Sequence, residues 1–137
     1  MTAAAHPRPD LPAVDTANAP QPRGNYSQAR IAGDLIFTAG LVPLDPETRS
    51  LVGEGDVAEQ TRQVLRNLQA ILAAAGATLD DVVKITVFLA DRDRDWEAYD
   101  AVFPEFFTPP YPARLTAGAH LGNILVEIEA VASRPNT

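Results

Sequence analysis

The stretch PYPARLTAGAHLGNILVEIEAVA (residues 110–132) decides how the chain folds, because it joins two strand-like runs and places charge inside both. In ILVEIEAVA, alternation with a period of two puts Val126, Ile128, Ala130 and Ala132 on one side of a strand. Glu127, Glu129 and Val131 then occupy the other side. The first side suits burial beneath helices. ARLTAGA (113–119) reads as a second strand, and it carries Arg114. Three charged side chains in otherwise apolar strands need either solvent or a task.

Working back along the chain, VVKITVFLA (82–90) has the composition of a buried strand, with Val83, Ile85, Val87 and Leu89 on one face and Lys84, Thr86 and Phe88 on the other. The clearest helix opens at Asp56, where Glu59 three residues later makes a capping box. Val57, Thr61, Val64, Leu65, Leu68, Ile71, Leu72 and Ala75 recur at helical spacing, and Gly76 closes the helix. A second helix is predicted to start near Asp93 or Asp95, with Trp96, Tyr99, Phe103 and Phe106 as its core stripe. Pro104 should kink or split it. Nearer the N-terminus, SQARIAG and DLIFTAGLV flank Gly33-Asp34 as a hairpin, and PLDPETRSLVGEG follows as a long turn. Residues 1–16, rich in Pro and Ala, read as a disordered tail ahead of a single domain at 17–137. The result is an α+β domain of order β-β-α-β-α-β-β, with both helices on one face of the sheet. Phe88 and the nearly continuous DLIFTAGLV suggest that the other face is covered as well. With only two helices available, that cover must come from another subunit, so a homo-oligomer packed sheet against sheet is expected.

Composition narrows the chemistry. The 11 Lys and Arg stand against 18 Asp and Glu, and the net charge of −7 with no basic cluster argues against nucleic acid as a partner. No apolar run reaches the roughly 18 residues a membrane helix needs, and no signal-peptide pattern is present, so a soluble cytoplasmic protein is the expectation. Without cysteine there are no disulfides, thiolates or zinc-thiolate sites, and His6 and His120 alone cannot form a metal site. Carboxylates, arginines, hydroxyls, His120 and the backbone remain to do chemistry.

Several segments in fixed order resemble the RidA/YjgF family of imine and enamine deaminases, once described as translation-inhibitor ribonucleases. They are NAPQPRGNYSQ (18–28), TAGLVP (38–43), the helix ending in AAAG, VVKITVFLAD, EFF (105–107), YPAR (111–114) and EIEAVA (127–132). The resemblance spans about Asn18 to Ser133. It implies a chorismate mutase-like mixed sheet, a homotrimer whose sheets form a central barrel, and three sites in the clefts between subunits. It further implies that Arg114 holds the substrate carboxylate, that Glu127 lies beside the hydrolytic water, that Tyr26 lines the cleft and that the Thr116 carbonyl helps place the water. Ala39, Gly40, Leu41 and Leu115 fall at the pocket positions. No cofactor is implied, and the ligand would be a 2-imino or 2-oxo acid.

The residue chemistry agrees with that allocation. A guanidinium offers the substrate carboxylate paired hydrogen bonds that lysine cannot reproduce. Hydrolysis of C=N needs a water and a group to carry its proton, which a carboxylate in a water-poor cleft can supply. Burial would raise the Glu127 pKa and a nearby Arg114 would lower it, and the sequence leaves that balance open. This chain departs from many family members at Ala39 and Leu41, where they have Ser and Gln, at Asp100, where they have Asn, and in a slightly shorter segment between Arg114 and Glu127. A larger or more apolar imine, or a dedicated pathway enzyme acting on an amino-muconate type intermediate, is the alternative these departures raise. A non-catalytic trimer that binds small carboxylates is another. The blander readings are an Arg114 surface pair with Glu127 or Glu129, a structural Glu129 paired with Lys84 or Arg134, and His120 and Asp100 as solvated polar residues.

Overall fold

A computed structural model describes residues 8–135. Its sheet is mixed and six-stranded: β1 (Ala13–Val14), β2 (Ala29–Ala32), β3 (Leu35–Thr38), β4 (Val82–Leu89), β5 (Ala113–Gly118) and β6 (Val126–Ser133), in the spatial order β1-β2-β3-β6-β4-β5. The helices are α1 (Val57–Ala74), α2 (Arg92–Asp100) and the single turn α3 (Phe103–Phe106). β1 is the element the sequence reading lacked. It pairs antiparallel with β2 and buries Val14, so the expected tail at 1–16 ends earlier than proposed. The part of that tail at 1–7 lies outside the described residues.

Local chemistry accounts for each element. Gly33 takes φ +59 in the two-residue link between Ala32 and Leu35, the positive φ a tight hairpin asks for. α1 starts where the Asp56 side chain accepts from the Glu59 N–H, but the capping box is half made: the Glu59 carboxylate turns to Arg62 instead. At the other end Gly76 sits at φ +80, and the Ala77 N–H reaches the Leu72 carbonyl at 2.8 Å, closing a Schellman cap. α2 begins at Arg92, slightly before the predicted start, because the Asp91 carboxylate caps the Arg94 N–H. Pro104 ends α2 and restarts the chain as α3, which shifts the helical phase. Phe107 therefore fills the buried place expected for Phe106, extending the Trp96, Tyr99, Phe103 series.

β4 corrects the predicted facing of Val83. A bulge between Val82 and Lys84 turns Val83 outward, 51% exposed, and buries Val82 in its stead. From Ile85 onward the alternation holds. Ile85, Val87, Leu89, Val126, Ile128, Ala130 and Ala132 are fully or almost fully buried under the helices. The opposite face carries Leu35, Phe37, Phe88, Leu115 and Val131 with no helix over it, and Leu35, Phe37 and Leu115 are exposed. β5 runs parallel to β4 after the α2–α3 crossover and forms one edge of the sheet. β6 lies between β3 and β4, so Arg114 and Glu127 stand on strands separated by β4.

Buried polar side chains tie the loops to this frame. Gln60, with no exposed surface, accepts the Leu125 N–H at 2.8 Å and donates to the Gly53 carbonyl at 3.1 Å. Gln60→Leu would keep the volume but orphan the Leu125 amide. A loss of about 2 kcal/mol in urea unfolding is expected, and an unchanged midpoint would contradict it.

Candidate active site

Two concave sites on the described surface take up most of the expected functional residues between them. One, about 320 Å³, is walled by Tyr26, Ala39, Gly40, Leu41 and Glu127 together with the 20–23 segment and the 49–51 turn. That volume falls in the usual range of roughly 300–1,000 Å³ for small-molecule sites. Buried amides hold its rim. The Gln28 side-chain amide accepts the Thr16 N–H at 2.8 Å and donates to the carbonyls of Thr16 and Pro20, both at 3.0 Å. Asn67 on α1 donates to the carbonyls of Val42 and Leu44, each at 3.0 Å.

The floor is made where β3 leaves the ladder. The Thr38 hydroxyl substitutes for a backbone acceptor, taking the Ala130 N–H at 3.0 Å, and the chain rejoins β6 when the Leu41 N–H donates to the Ile128 carbonyl at 2.7 Å. Ala39 and Gly40 fill the gap, and the half-buried Glu127 carboxylate rests against them. A Cβ at Gly40 would stand 3.0 Å from Glu127 Oε2 and 3.1 Å from its Cδ. An added Cβ would make the Glu127 side chain give by a few tenths of an ångström, and since the glycine's φ is not positive, space and not backbone conformation is what it supplies. Gly40→Ala should keep the fold, because its backbone admits alanine. Displacing the carboxylate should cost activity about tenfold or more. Thermal unfolding beside a rate measurement separates the two effects, and a fully active variant would refute the placement.

Burial pushes the Glu127 pKa up, and the neighbouring Glu129 charge adds to the rise. The opposing pull of Arg114 does not arise within one chain. Glu127 pairs with Phe88 on the open face, whereas Arg114 is in register with Ile85 and faces the helices. Arg114 lies in the second cavity, about 340 Å³, with Asp100, Phe103 and Tyr111. Its guanidinium stands 4.6 Å from the Phe103 ring centroid and 5.1 Å from those of Trp96 and Tyr99. Its Nη2 meets Asp100 Oδ1 at 2.8 Å. Three aromatic faces hold the fork flat, and one carboxylate already occupies part of it.

The remaining residues fall as follows. Leu115 points to the open sheet face, half exposed, and lines neither cavity. Thr116 also lines neither; its hydroxyl meets the buried Tyr99 hydroxyl at 2.6 Å. Tyr26 is exposed at the rim, its hydroxyl accepting the Arg23 N–H at 3.2 Å. The ion pair anticipated between Arg114 and Glu127 or Glu129 is replaced by Asp100, because β5 does not adjoin β6. Glu129 makes no ion pair among the described residues, and His120 is exposed outside both cavities. Arg23, Arg49 and Asn67 are lining residues the sequence reading passed over. Asn67 had a visible signal, since it interrupts the apolar face Val64, Leu68, Ile71.

A family profile described as "Endoribonuclease L-PSP" matches residues 16–134. A RutC family protein of Pyrococcus horikoshii is 47% identical over 121 residues, covering 87% of this chain and 94% of that protein. A protein of Dermatophagoides farinae named 2-iminobutanoate/2-iminopropanoate deaminase is 38% identical over 120 residues, 86% of this chain and 92% of its own. The crystal structure of RidA from an Antarctic Psychrobacter superposes with a TM-score of 0.84 at 35% identity, covering 89% of this chain and 98% of that one. Profile, relatives, fold and motif order agree: the chain belongs to the endoribonuclease L-PSP family, that is, the RidA/YjgF proteins.

Proposed function

We propose that this protein hydrolyses 2-imino and 2-enamino acids to 2-oxo acids and ammonia, as a homotrimer with sites between its subunits. The observation that carries the proposal is the Glu127 carboxylate, half buried in a cavity with its pKa raised by burial, a proton carrier poised closer to neutrality than an exposed glutamate. The name of the mite relative supports the reaction class. The uncovered apolar sheet face supports association with further copies.

The site would be composite. Glu127, Gly40 and Tyr26 of one copy meet the Arg114 edge of the next, since a single chain sets the two groups on opposite faces of its sheet. Arg114 binds the substrate carboxylate and so places the C=N carbon over Glu127. The ionised carboxylate takes a proton from water as its oxygen attacks that carbon. The proton then passes to nitrogen to give a carbinolamine, Glu127 relays the carbinolamine hydroxyl proton to the same nitrogen as the C=O forms and the C–N bond breaks, and ammonia leaves a 2-oxo acid. The cyclic proton use leaves Glu127 ready for another turn, and the chemistry calls on no cofactor. Thr116 lies two residues beyond Arg114 on the same edge strand; its carbonyl accepts from Arg92 Nε at 3.5 Å within the chain, and its part in placing the water belongs to the proposed assembly.

The test supplies imines in situ with an amino-acid oxidase and follows their loss against the spontaneous rate. Accelerated loss, with a light-scattering mass three times that of the chain, is expected. No acceleration across a panel of imines would refute the enzyme reading in favour of a carboxylate-binding protein.

A further inference from the structure

Two arginines lining the Glu127 cavity have no part in the reaction just described. Arg23 lies in its 20–23 wall and Arg49 in the turn opposite. Arg8, Arg62, Arg92, Arg94 and Arg114 each have a carboxylate within salt-bridge distance; Arg23 and Arg49, like Arg30, Arg66, Lys84 and Arg134, have none among the described residues, but of these six only Arg23 and Arg49 line a cavity. In a chain with 18 acidic residues and a net charge of −7, two cations left unpaired in one concavity mark a place prepared for an external anion.

Their placement is built rather than incidental. Arg23 Nη2 reaches the Arg49 carbonyl at 3.5 Å, linking the two walls. The Arg49 turn is fixed by Asp45, whose carboxylate accepts the N–H groups of Glu47 and Thr48 at 2.9 and 2.8 Å. The Arg49 N–H bonds the Asp45 carbonyl at 2.8 Å. Arg49 itself holds φ +63, and no other non-glycine residue among those described has a positive φ. Glycine adopts that conformation without a Cβ penalty, so local preference opposes arginine there. An arginine in a conformation that local preference opposes, at the exposed rim of a cavity it lines, points to a functional reason.

We propose that Arg23 and Arg49 form a second anion subsite, so that the preferred substrates are 2-imino acids bearing a second, distal carboxylate: the imines of acidic amino acids. The inference rests on the deaminase reading and names its substrate class. Arg114 of the adjoining copy takes the carboxylate next to the C=N carbon, while Arg23 and Arg49 take the far one. The reaction is unchanged: water adds across C=N, ammonia leaves, and the product is a 2-oxo dicarboxylate.

The experiment compares kcat/KM for imines generated from aspartate and glutamate with those from alanine and 2-aminobutanoate. The wild type is set beside Arg23→Ala, Arg49→Gly and, as a charge control on the outer face of α1, Arg66→Ala. The wild type should favour the dicarboxylic imines, and the ratio should fall about tenfold or more through KM in the Arg23 and Arg49 variants, as expected for a lost charge-assisted contact. Arg66→Ala should leave the ratio in place. Arg49→Gly should hold or raise the melting temperature, which separates lost recognition from lost folding. Imine turnover with no dicarboxylate preference, or a preference indifferent to both arginines, would overturn the subsite while the deaminase reading stood. If no imine were turned over, that reading would fail. Calorimetry would still decide the subsite: tighter binding of 2-oxoglutarate than 2-oxobutanoate, lost in both variants, supports it, and equal affinities overturn it.

Discussion

Arg114→Ala lowers kcat/KM for a 2-imino acid by about 100- to 1,000-fold, the expected cost of removing a forked, charge-assisted pair from a carboxylate. The side chain is only 21% exposed and is clamped against Trp96, Tyr99 and Phe103, so its orientation is set before substrate arrives. Arg114→Lys keeps the charge but loses both the planar fork and much of the stacking, and should recover only a small part of the activity. The fold should tolerate the alanine. Asp100 is half exposed and can be solvated once its partner is gone, leaving the lost ring contacts, about 1 kcal/mol, as the main penalty. A variant with near-normal kinetics would remove Arg114 from the site, and a variant that fails to melt cooperatively would make it structural.

Glu127→Gln should lower kcat by about 100- to 10,000-fold, because the amide is isosteric but cannot carry the proton. Its effect on stability has the opposite sign. The folded pKa of Glu127 is raised by burial and by Glu129, so folding favours the protonated form. Stability from this group is therefore fully present below the unfolded pKa and is lost as pH rises through the folded pKa. At neutral pH the wild type bears a half-buried anion that glutamine does not. Glu127→Gln should melt higher than wild type at pH 7, and the gap should close toward pH 4. Activity should likewise fall on the acid side through a pKa above the ordinary carboxylate value, and Glu129→Gln should move that limb to lower pH. A mutant that melts lower at pH 7 would contradict the assigned direction. Arg114→Ala and Glu127→Gln also make a joint test. Each dead homotrimer keeps one good half of every site, so random mixing should restore about a quarter of the interfaces. Failure to recover any activity on mixing would place both residues in one subunit's site.

Much of the fold was legible because its signals are local. Asp56, the apolar spacing from Val57 to Leu72 and Gly76 mark α1 from end to end, and Gly33 marks the hairpin. Val83 was misplaced because a bulge changes facing without changing composition, and β1 escaped notice because two residues carry no period. The register of β6 between β3 and β4 is a long-range pairing that no window reports, and with it went the choice of Asp100 as the Arg114 partner. Glu127 and Arg114 could be nominated only by motif order. Their separation onto opposite faces needed coordinates. Arg23 and Arg49 read as loop charges until the cavity brought them together.

The position of β4 between the Arg114 strand and the Glu127 strand sets a rule of mass action. A lone chain holds Arg114 and Glu127 on opposite faces of its sheet, however well it is folded. On the proposed composite site, specific activity should fall on dilution below the dissociation constant, with no change in secondary structure, and return on concentration. Under that proposal assembly is the on-switch, and free chains released by synthesis or turnover are expected to turn over no imine.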